Sequence, residues 1–325
     1  MSVRGRIAAV FILLFLALIP LFAVYQGNPF LVLLWTRIMI VATAIVFLDL
    51  VQGYSGLPSF GHAAFFGLGG YAVAIIAFHG DQAPAQSWLR FVGREAAITV
   101  PVAVVVSALA GLLIGGIALR TRGIHFIMIT LALSQMLFFL FFSLPNYGGD
   151  EGLRMKERQL LLGYDVSNPV TFYYLVFAIL VVSVGMCWLL MNSRFGNVLV
   201  GCAQNERRMK FLGFRTNVYF LITFVISAGG TGLAGALMAN SMRHVSPQML
   251  SWHQSGEFMV MLVLGGMANL FGAILGAAAF LIAQESLITV TNNWEVYLGL
   301  GLLVLILSSS SGIFGLVAGR AKRND

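Results

Sequence analysis

Charged residues, cysteines and prolines are all scarce in this sequence. Of its 325 residues, 19 are basic and 12 acidic, so only 31 are charged, and there are 2 cysteines and 8 prolines. A soluble domain has roughly 25% charged residues, which excludes an ordinary soluble enzyme or a disordered chain. Cys187 lies in an apolar run and Cys202 in a basic loop. Neither a disulfide framework nor a metal site is indicated.

Apolar residues and glycine are abundant instead. The chain is 59% hydrophobic, its mean hydropathy is +0.91, and it contains 36 glycines. A soluble globule of this size cannot hide so much apolar surface. We therefore predict an all-α polytopic membrane protein forming a single transmembrane domain over residues 1–325. The abundance of glycine favours closely packed or broken helices.

Apolar runs long enough to cross a bilayer recur along the whole chain. A spanning helix needs about 20 such residues. The runs that meet this condition are 7–24, 31–50, 61–78, 96–119, 123–144, 172–192, 217–240, a longer stretch at 257–286, and 294–317.

The charges of the loops predict the orientation. The loop 193–216 has five basic residues and one acidic residue, whereas the loop 145–171 has three basic and four acidic. Basic loops stay in the cytoplasm, which also accounts for the net charge of +7 without any nucleic-acid partner. Both termini are then cytoplasmic and the loop 145–171 is external. Other basic ends are marked by Arg4, Arg6, Arg120, Arg122, Arg320, Lys322 and Arg323.

The stretch 257–286 is predicted to be a helical hairpin. With both termini on one side the number of crossings is even, so this stretch must return to the side from which it enters. Gly265, Gly266 and Asn269 lie near its middle, where a turn is easily formed. The expected fold has about 8–10 transmembrane helices with broken or re-entrant segments, and the tip of the hairpin points towards the cytoplasm.

Charged residues within the spans bear on the transport mechanism. Arg37 and Asp49 lie near the two ends of the second span, and Glu257, Glu285 and Glu295 at the outer ends of their segments. Proton-coupled carriers usually place ionisable residues at mid-span. No carboxylate is expected there, which counts against the rival interpretation as an ion-coupled secondary transporter.

Enzyme signatures are missing from the sequence. There is no G-x-x-x-x-G-K-[ST] loop, no H-E-x-x-H and no G-x-S-x-G. The run Gly230–Gly235 fits G-x-G-x-x-G, but it lies inside an apolar span, where small residues favour helix packing over cofactor binding. No catalytic residue, metal ligand or bound cofactor is predicted. A membrane-embedded enzyme or a structural scaffold is the second rival interpretation. An enzyme would need a converging set of titratable residues in the membrane, and only scattered histidines are present.

The segment Gly53–His62 is rich in glycine and hydroxyl groups and contains Pro58, which disfavours helix. One interpretation is a discontinuous element that lines the permeation path; the other is a plain cytoplasmic turn. Irregular backbone is tolerated at membrane depth only where protein or a water-filled cavity covers it. His62 alone is more typical of a structural histidine than of a ligand. The candidate path residues are Gly53, Tyr54, Ser55, Gly56, Ser59, Gly61 and His62.

The basic loop 193–216 contains a second candidate site. Its part Asn205–Gly213 is predicted to be a short helix ended by glycine. The loop is either a solvated basic connection or a docking helix for a cytoplasmic partner.

At these motifs the chain resembles the LivM-type permeases of branched-chain amino-acid ABC importers. The resemblance rests on GYSGLPSFGHAAFFGLGGY at 53–71, TRGIHF at 121–126, GGDEGL at 148–153 and SRFG at 193–196. It continues through the 205–213 helix, FVISA at 224–228 and VLGGM at 263–267, in family order. The related urea-type ABC permeases share most of these motifs, so a urea or amide permease is the alternative.

The resemblance implies a permease subunit in the bacterial inner membrane. This subunit would assemble with a LivH-type permease, two cytoplasmic ATPases that use ATP, and a periplasmic binding protein. It also favours the docking interpretation, in which Asn205, Glu206, Arg207, Arg208 and Gly213 form the coupling motif.

Overall fold

The protein is an almost entirely helical bundle. The computed structural model describes residues 3–84, 87–161, 163–164, 166–291, 293–308, 312–313 and 315. Its helices are α1 Val3–Tyr25, α2 Pro29–Asp49, α3 His62–Gln82, α4 Trp88–Arg94, α5 Ala96–Ala118, α6 Ile124–Phe142, α7 Pro169–Met191, α8 Arg194–Gln204, α9 Glu206–Phe211, α10 Thr216–Met242, α11 Trp252–Gly265, α12 Leu270–Ile288 and α13 Trp294–Ser308. Two-residue strands β1 Leu153–Arg154 and β2 His244–Val245 pair in antiparallel fashion.

The prediction of an all-α polytopic membrane protein is confirmed. Within the described ranges, seven helices are long and apolar enough to cross a membrane, and a shorter apolar helix covers Val10–Ala23. The seven are α2 with its extension to Tyr54, α3, α5, α6, α7, α10 and α12. The basic residues Arg320, Lys322 and Arg323 lie outside the described residues.

Helix α10 lies at the centre, where α2, α3 and α5 pack around it. Glycine makes these contacts possible. A methyl group on Gly69 of α3 would lie 2.0 Å from the carbonyl oxygen of Gly232, and one on Gly235 would lie 1.7 Å from that of Phe66. The two backbones therefore touch, as small residues allow between membrane helices. This geometry supports the packing role predicted for Gly230–Gly235.

Helix α11 begins half-way through the bundle. After α10 the chain turns back through β2 and a 3₁₀ turn at Pro247–Leu250. The Ser134 hydroxyl, at the eleventh residue of the 19-residue α6, donates to the Leu250 carbonyl at 3.3 Å. The first turn of α11 thus lies at the depth of the middle of α6, and α11 is a half-length helix.

The predicted hairpin is confirmed, but α11 starts at Trp252 instead of residue 257. Its turn occupies residues 266–269, where Gly266 and Ala268 have φ of +107° and +59°. The Asn269 side chain accepts hydrogen bonds from the backbone N–H groups of Phe271 and Gly272 and so caps α12. We call residues 266–269 the hairpin tip.

Two ends of the bundle can be distinguished by their charges. The basic end has Arg120, Arg122 and the helices α8 and α9. The opposite end has the loop 145–171, which is tied down by Arg158. Its guanidinium donates to the carbonyls of Asn240 and Val166 and lies 4.2 Å from the centre of the Phe172 ring.

The glycine contact between α3 and α10 can be tested by adding one methyl group. Gly69→Ala should lower the melting temperature in detergent, because overpacking a close contact costs about 1–3 kcal/mol. Gly185→Ala on α7 is the matched control. A methyl group there meets no atom within 4 Å, so the change should be neutral or slightly stabilising. Equal melting temperatures for the two variants would contradict the proposed contact.

Candidate functional site

The chain between α2 and α3 is a buried interruption of helix. Helix α2 ends in a π-helical turn, Leu50–Tyr54, in which the Ser55 N–H and hydroxyl both donate to the Leu50 carbonyl, at 3.2 and 2.7 Å. Residues 55–61 then follow an irregular path, which we call the helix break. Gly56 adopts φ +65° there, a value that favours glycine.

The candidate path residues at this break differ in their solvent exposure. Gly53 and Tyr54 are half-buried and Gly56 is exposed, whereas the other four are buried: Ser55, Ser59, Gly61 and His62. The segment is thus a discontinuous element within the bundle and not an exposed turn. Contact of these residues with a substrate stays a prediction.

His62 is held by two serines. Its Nε2 lies 2.9 Å from Ser227 Oγ, and its Nδ1 lies 3.2 Å from Ser59 Oγ. Because the Ser227 hydroxyl donates its only proton to the Phe47 carbonyl, Nε2 of His62 must be the donor to Ser227. Nδ1 then accepts from Ser59. This closed network fits a histidine that joins α2, α3 and α10.

The start of α3 is capped by the half-length helix α11. The Ala63 N–H, in the first turn of α3, donates to Ser255 Oγ at 3.0 Å. Gly61 packs on α6, where an added methyl group would lie 3.3 Å from the carbonyl oxygen of Thr130. The break is therefore in contact with α6, α10 and α11.

Asp49, the last residue of α2, joins that helix to the hairpin tip. Its Oδ1 accepts from the Ala268 N–H at 2.8 Å, and the side chain is fully buried. Among the described residues its Oδ2 has no hydrogen-bond partner. Gly53 is part of the same contact, since a methyl group there would overlap both Asp49 Oδ1 and the Ala268 nitrogen.

The sequence interpretation was wrong for Glu257 and incomplete for Asp49. Asp49 lies near the end of the span Pro29–Tyr54, as predicted, but its side chain is buried against the hairpin tip. Glu257 lies in the second turn of α11, inside the bundle and not at an outer end. An acidic residue four positions before a glycine-rich interruption was the available signal for Asp49. The argument against ion coupling from missing carboxylates therefore fails.

The loop 193–216 is formed by two short helices, α8 and α9, which we call the insertion. Ser193 caps α8, and Asn205 caps α9 by accepting from the Arg208 N–H at 2.9 Å. Gly213 ends α9 with φ +88°. The predicted helix over Asn205–Gly213 is confirmed in position, while its docking role stays a prediction.

Glu206 fixes the insertion to the ends of two spans. Its carboxylate accepts a two-pronged hydrogen bond from Arg122 at 3.1 Å, and further bonds from Lys210 at 2.8 Å and Thr216 at 3.1 Å. Partial burial alone would raise the pKa of Glu206. The hydrogen bonds from Arg122, Lys210 and Thr216 outweigh it and lower that pKa to about 2.

The outer face of α9 is unusual for a solvated loop. Phe211 is 91% exposed and Leu212 is 66% exposed, beside the exposed Arg207 and Arg208. Arg207 has no ion pair or hydrogen bond with the described residues. Large exposed apolar side chains among charges are typical of protein–protein contacts.

The inner face of α8 packs directly on the helix break. Leu57 of the break belongs to the same apolar cluster as Leu199 and Cys202 of α8. A methyl group on Gly56 would lie 3.9 Å from Cβ of Ala203. A continuous path of contacts thus runs from the insertion through the break and Asp49 to the hairpin tip. Within the described part of the chain, no three His, Cys, Asp or Glu side chains are grouped to hold a metal ion.

The contact between Asp49 and the hairpin tip predicts a difference between two substitutions. Asp49→Ala removes the acceptor of the Ala268 N–H, and the loss of a hydrogen bond to a carboxylate should cost about 1–3 kcal/mol. Asp49→Asn keeps an oxygen that can accept from the Ala268 N–H. It also removes a buried carboxylate whose second oxygen has no hydrogen-bond partner among the described residues. This variant should therefore be at least as stable as the wild type. Thermal unfolding in detergent measures both. An Asp49→Ala variant as stable as Asp49→Asn would contradict the assignment.

Glu206→Gln should loosen α9 without unfolding the bundle. Ion pairs of a partly exposed carboxylate stabilise by about 1 kcal/mol. Their loss should therefore make amide hydrogen exchange in α9 roughly fivefold faster. Arg207→Gln on the same helix is the control and should leave exchange unchanged. The stabilisation by ionised Glu206 is complete above its ordinary pKa of 4.5 and is lost as the pH falls through about 2. Unchanged exchange in Glu206→Gln at neutral pH would show that the network is unimportant.

The chain is similar to several transport permeases along most of its length. The branched-chain amino acid transport system permease protein LivM of Salmonella typhimurium is 28% identical over 284 residues, which are 80% of this chain and 64% of LivM. The chain thus spans slightly less than two thirds of the length of LivM. BraD of Pseudomonas aeruginosa, from a system of the same description, is 23% identical over 281 residues, 82% of this chain and 88% of BraD.

A third relative is LivH of Escherichia coli, 27% identical over 125 residues, which are 38% of this chain and 40% of LivH. No solved structure matches the chain significantly. The model of the family described as branched-chain amino acid transport system / permease component matches residues 30–308. The chain therefore belongs to this family of transport permeases.

Proposed function

We propose that this chain is a permease subunit of an ATP-driven ABC importer. The observation that carries the proposal is the insertion. It offers Phe211, Leu212 and two arginines to a partner on its outer face, while its inner face packs on the helix break. Such an arrangement can pass a movement from a docked protein to the interior of the bundle. The family supports the same conclusion.

The proposal implies several partners. A second, LivH-type permease completes the translocation path, two cytoplasmic ATPases dock at the insertions, and a periplasmic binding protein delivers the substrate. The chain itself binds no cofactor, and ATP is used by the ATPases. It lies in the bacterial inner membrane with both termini and the insertion in the cytoplasm, as the positive charge of that loop favours.

Branched-chain amino acids are the proposed substrates. The names of LivM and BraD support this class. A urea or amide importer is the alternative, since the sequence motifs are shared with that sibling family.

The mechanism follows from the contacts. Closure of the ATPase pair on ATP would push α9, and the ion pairs of Glu206 would pass the force to the ends of α5 and α10. Helix α8 would move the break, and Asp49 would carry the displacement to the hairpin tip. The permease pair would then change from outward- to inward-facing by a rigid-body movement of its elements.

Docking can be tested by co-purification of the complete importer. Truncation of a central aromatic anchor costs about 2 kcal/mol or more, so Phe211→Ala combined with Arg207→Glu should weaken ATPase association at least thirtyfold. The second permease should still co-purify. Tyr164→Ala is the matched control, because Tyr164 is 78% exposed in the loop at the opposite end.

Unchanged ATPase association in the double variant would reject the docking role of the insertion. Uptake by the wild-type complex that persists without ATP but collapses with an uncoupler would reject the ABC importer and favour the ion-coupled transporter.

A further inference from the structure

One face of α11 exposes polar side chains at membrane depth. This face consists of His253, Gly256, Glu257 and Val260, which follow one another at helical spacing; we call it the α11 face. The side chain of His253 is 68% exposed and that of Glu257 is 24% exposed. His253 lies in the first turn of α11, which is level with the middle of α6, and Glu257 lies in the second turn. Ionisable side chains at this depth cannot face lipid without a large cost.

Two further charges from other helices lie close to this face. Helices α2 and α13 both pack against α11, and the charges of Arg37 on α2 and Glu295 on α13 act on the Glu257 carboxylate. Arg37 is the ninth residue of α2, roughly 12 Å along its axis. The fold thus brings together basic and acidic groups that are more than 200 positions apart in the sequence.

The charges of this cluster are only partly paired with each other. Glu257 accepts from Gln254 Nε2 at 2.9 Å and lies 4.0 Å from His253 Nδ1. Arg37 makes neither an ion pair within 4 Å nor a hydrogen bond with the described residues. Among the described residues the Arg37 guanidinium thus has no bound carboxylate, and the Glu257 carboxylate has acceptor positions left for an ammonium group.

We propose that the α11 face lines the translocation path and that Glu257 and Arg37 take the ammonium and carboxylate groups of a zwitterionic amino acid. This inference rests on the proposed function, in which a second permease covers the α11 face. A methyl group placed on Gly256 would lie 3.8 Å from the ring of Phe60. The α11 face is therefore next to the helix break. A movement of the break would therefore reach the substrate site directly.

Accessibility to a charged thiol reagent tests the path. His253→Cys and Val260→Cys should react with a charged methanethiosulfonate in the reconstituted importer at least tenfold faster than Leu113→Cys. Leu113, on α5, is 70% exposed but belongs to an apolar surface. The wild type provides the background, because Cys187 and Cys202 are both buried. Leucine delivered by the binding protein should slow the labelling of His253→Cys.

Neutralising the charges tests the substrate site. Glu257→Gln and Arg37→Gln should each reduce ATP-dependent leucine uptake at least tenfold, whereas Glu157→Gln in the loop at the opposite end should stay within twofold of the wild type. Labelling of His253→Cys no faster than that of Leu113→Cys, or normal uptake in both charge variants, would overturn the inference while leaving a functioning importer. A wild-type complex without ATP-dependent uptake would instead refute the proposed function, and the inference with it.

Discussion

The structure depends on the requirement that backbone polar groups inside a membrane find partners within the protein. Two segments break this chain at membrane depth, residues 55–61 and the approach to α11, and neighbouring helices supply hydrogen-bond partners beside each break. Ser255 of α11 accepts from the first turn of α3, and Ser134 of α6 donates to the carbonyl that precedes α11. The contacts of Ala63 with Ser255 and of Phe60 with Gly256 pair the half-length helix with the irregular segment and hold them side by side.

The same pairing connects the two ends of the molecule. The insertion packs on the break through Leu57, the break is joined to α10 through His62 and Ser227, and Asp49 joins the preceding helix to the hairpin tip. The first of these contacts is apolar and the other two are hydrogen bonds. A displacement at α9 therefore has a continuous route of contacts towards the α11–α12 hairpin.

Most of the fold could be predicted from the sequence because span length and hydrophobicity are local properties. The spans, the turn at Gly265–Asn269 and the helix at Asn205–Gly213 were found in this way. The depth of α11 could not be predicted, since Trp252–Glu257 is polar and reads as a loop outside the membrane. That misplacement hid the packing of α11 on α2, which brings the charges of Glu257 and Arg37 towards each other. The burial of Asp49 was missed because its partner is a backbone N–H 219 positions away. Side-chain pairings across the bundle depend on tertiary contacts that no local pattern records.

The distribution of close contacts indicates where the bundle can move at least cost. Between α3 and α10 the backbones touch at Gly69 and Gly235, so sliding one helix past the other would force carbonyl oxygens into collision. The α11–α12 hairpin is instead joined to α2 by apolar packing and by the Asp49–Ala268 hydrogen bond, in which no carbonyl oxygens interlock. In the proposed mechanism α3, α5 and α10 would therefore stay a fixed unit, while the hairpin could shift against them with α2. Because α11 carries Glu257, such a shift would move one side of the proposed substrate site.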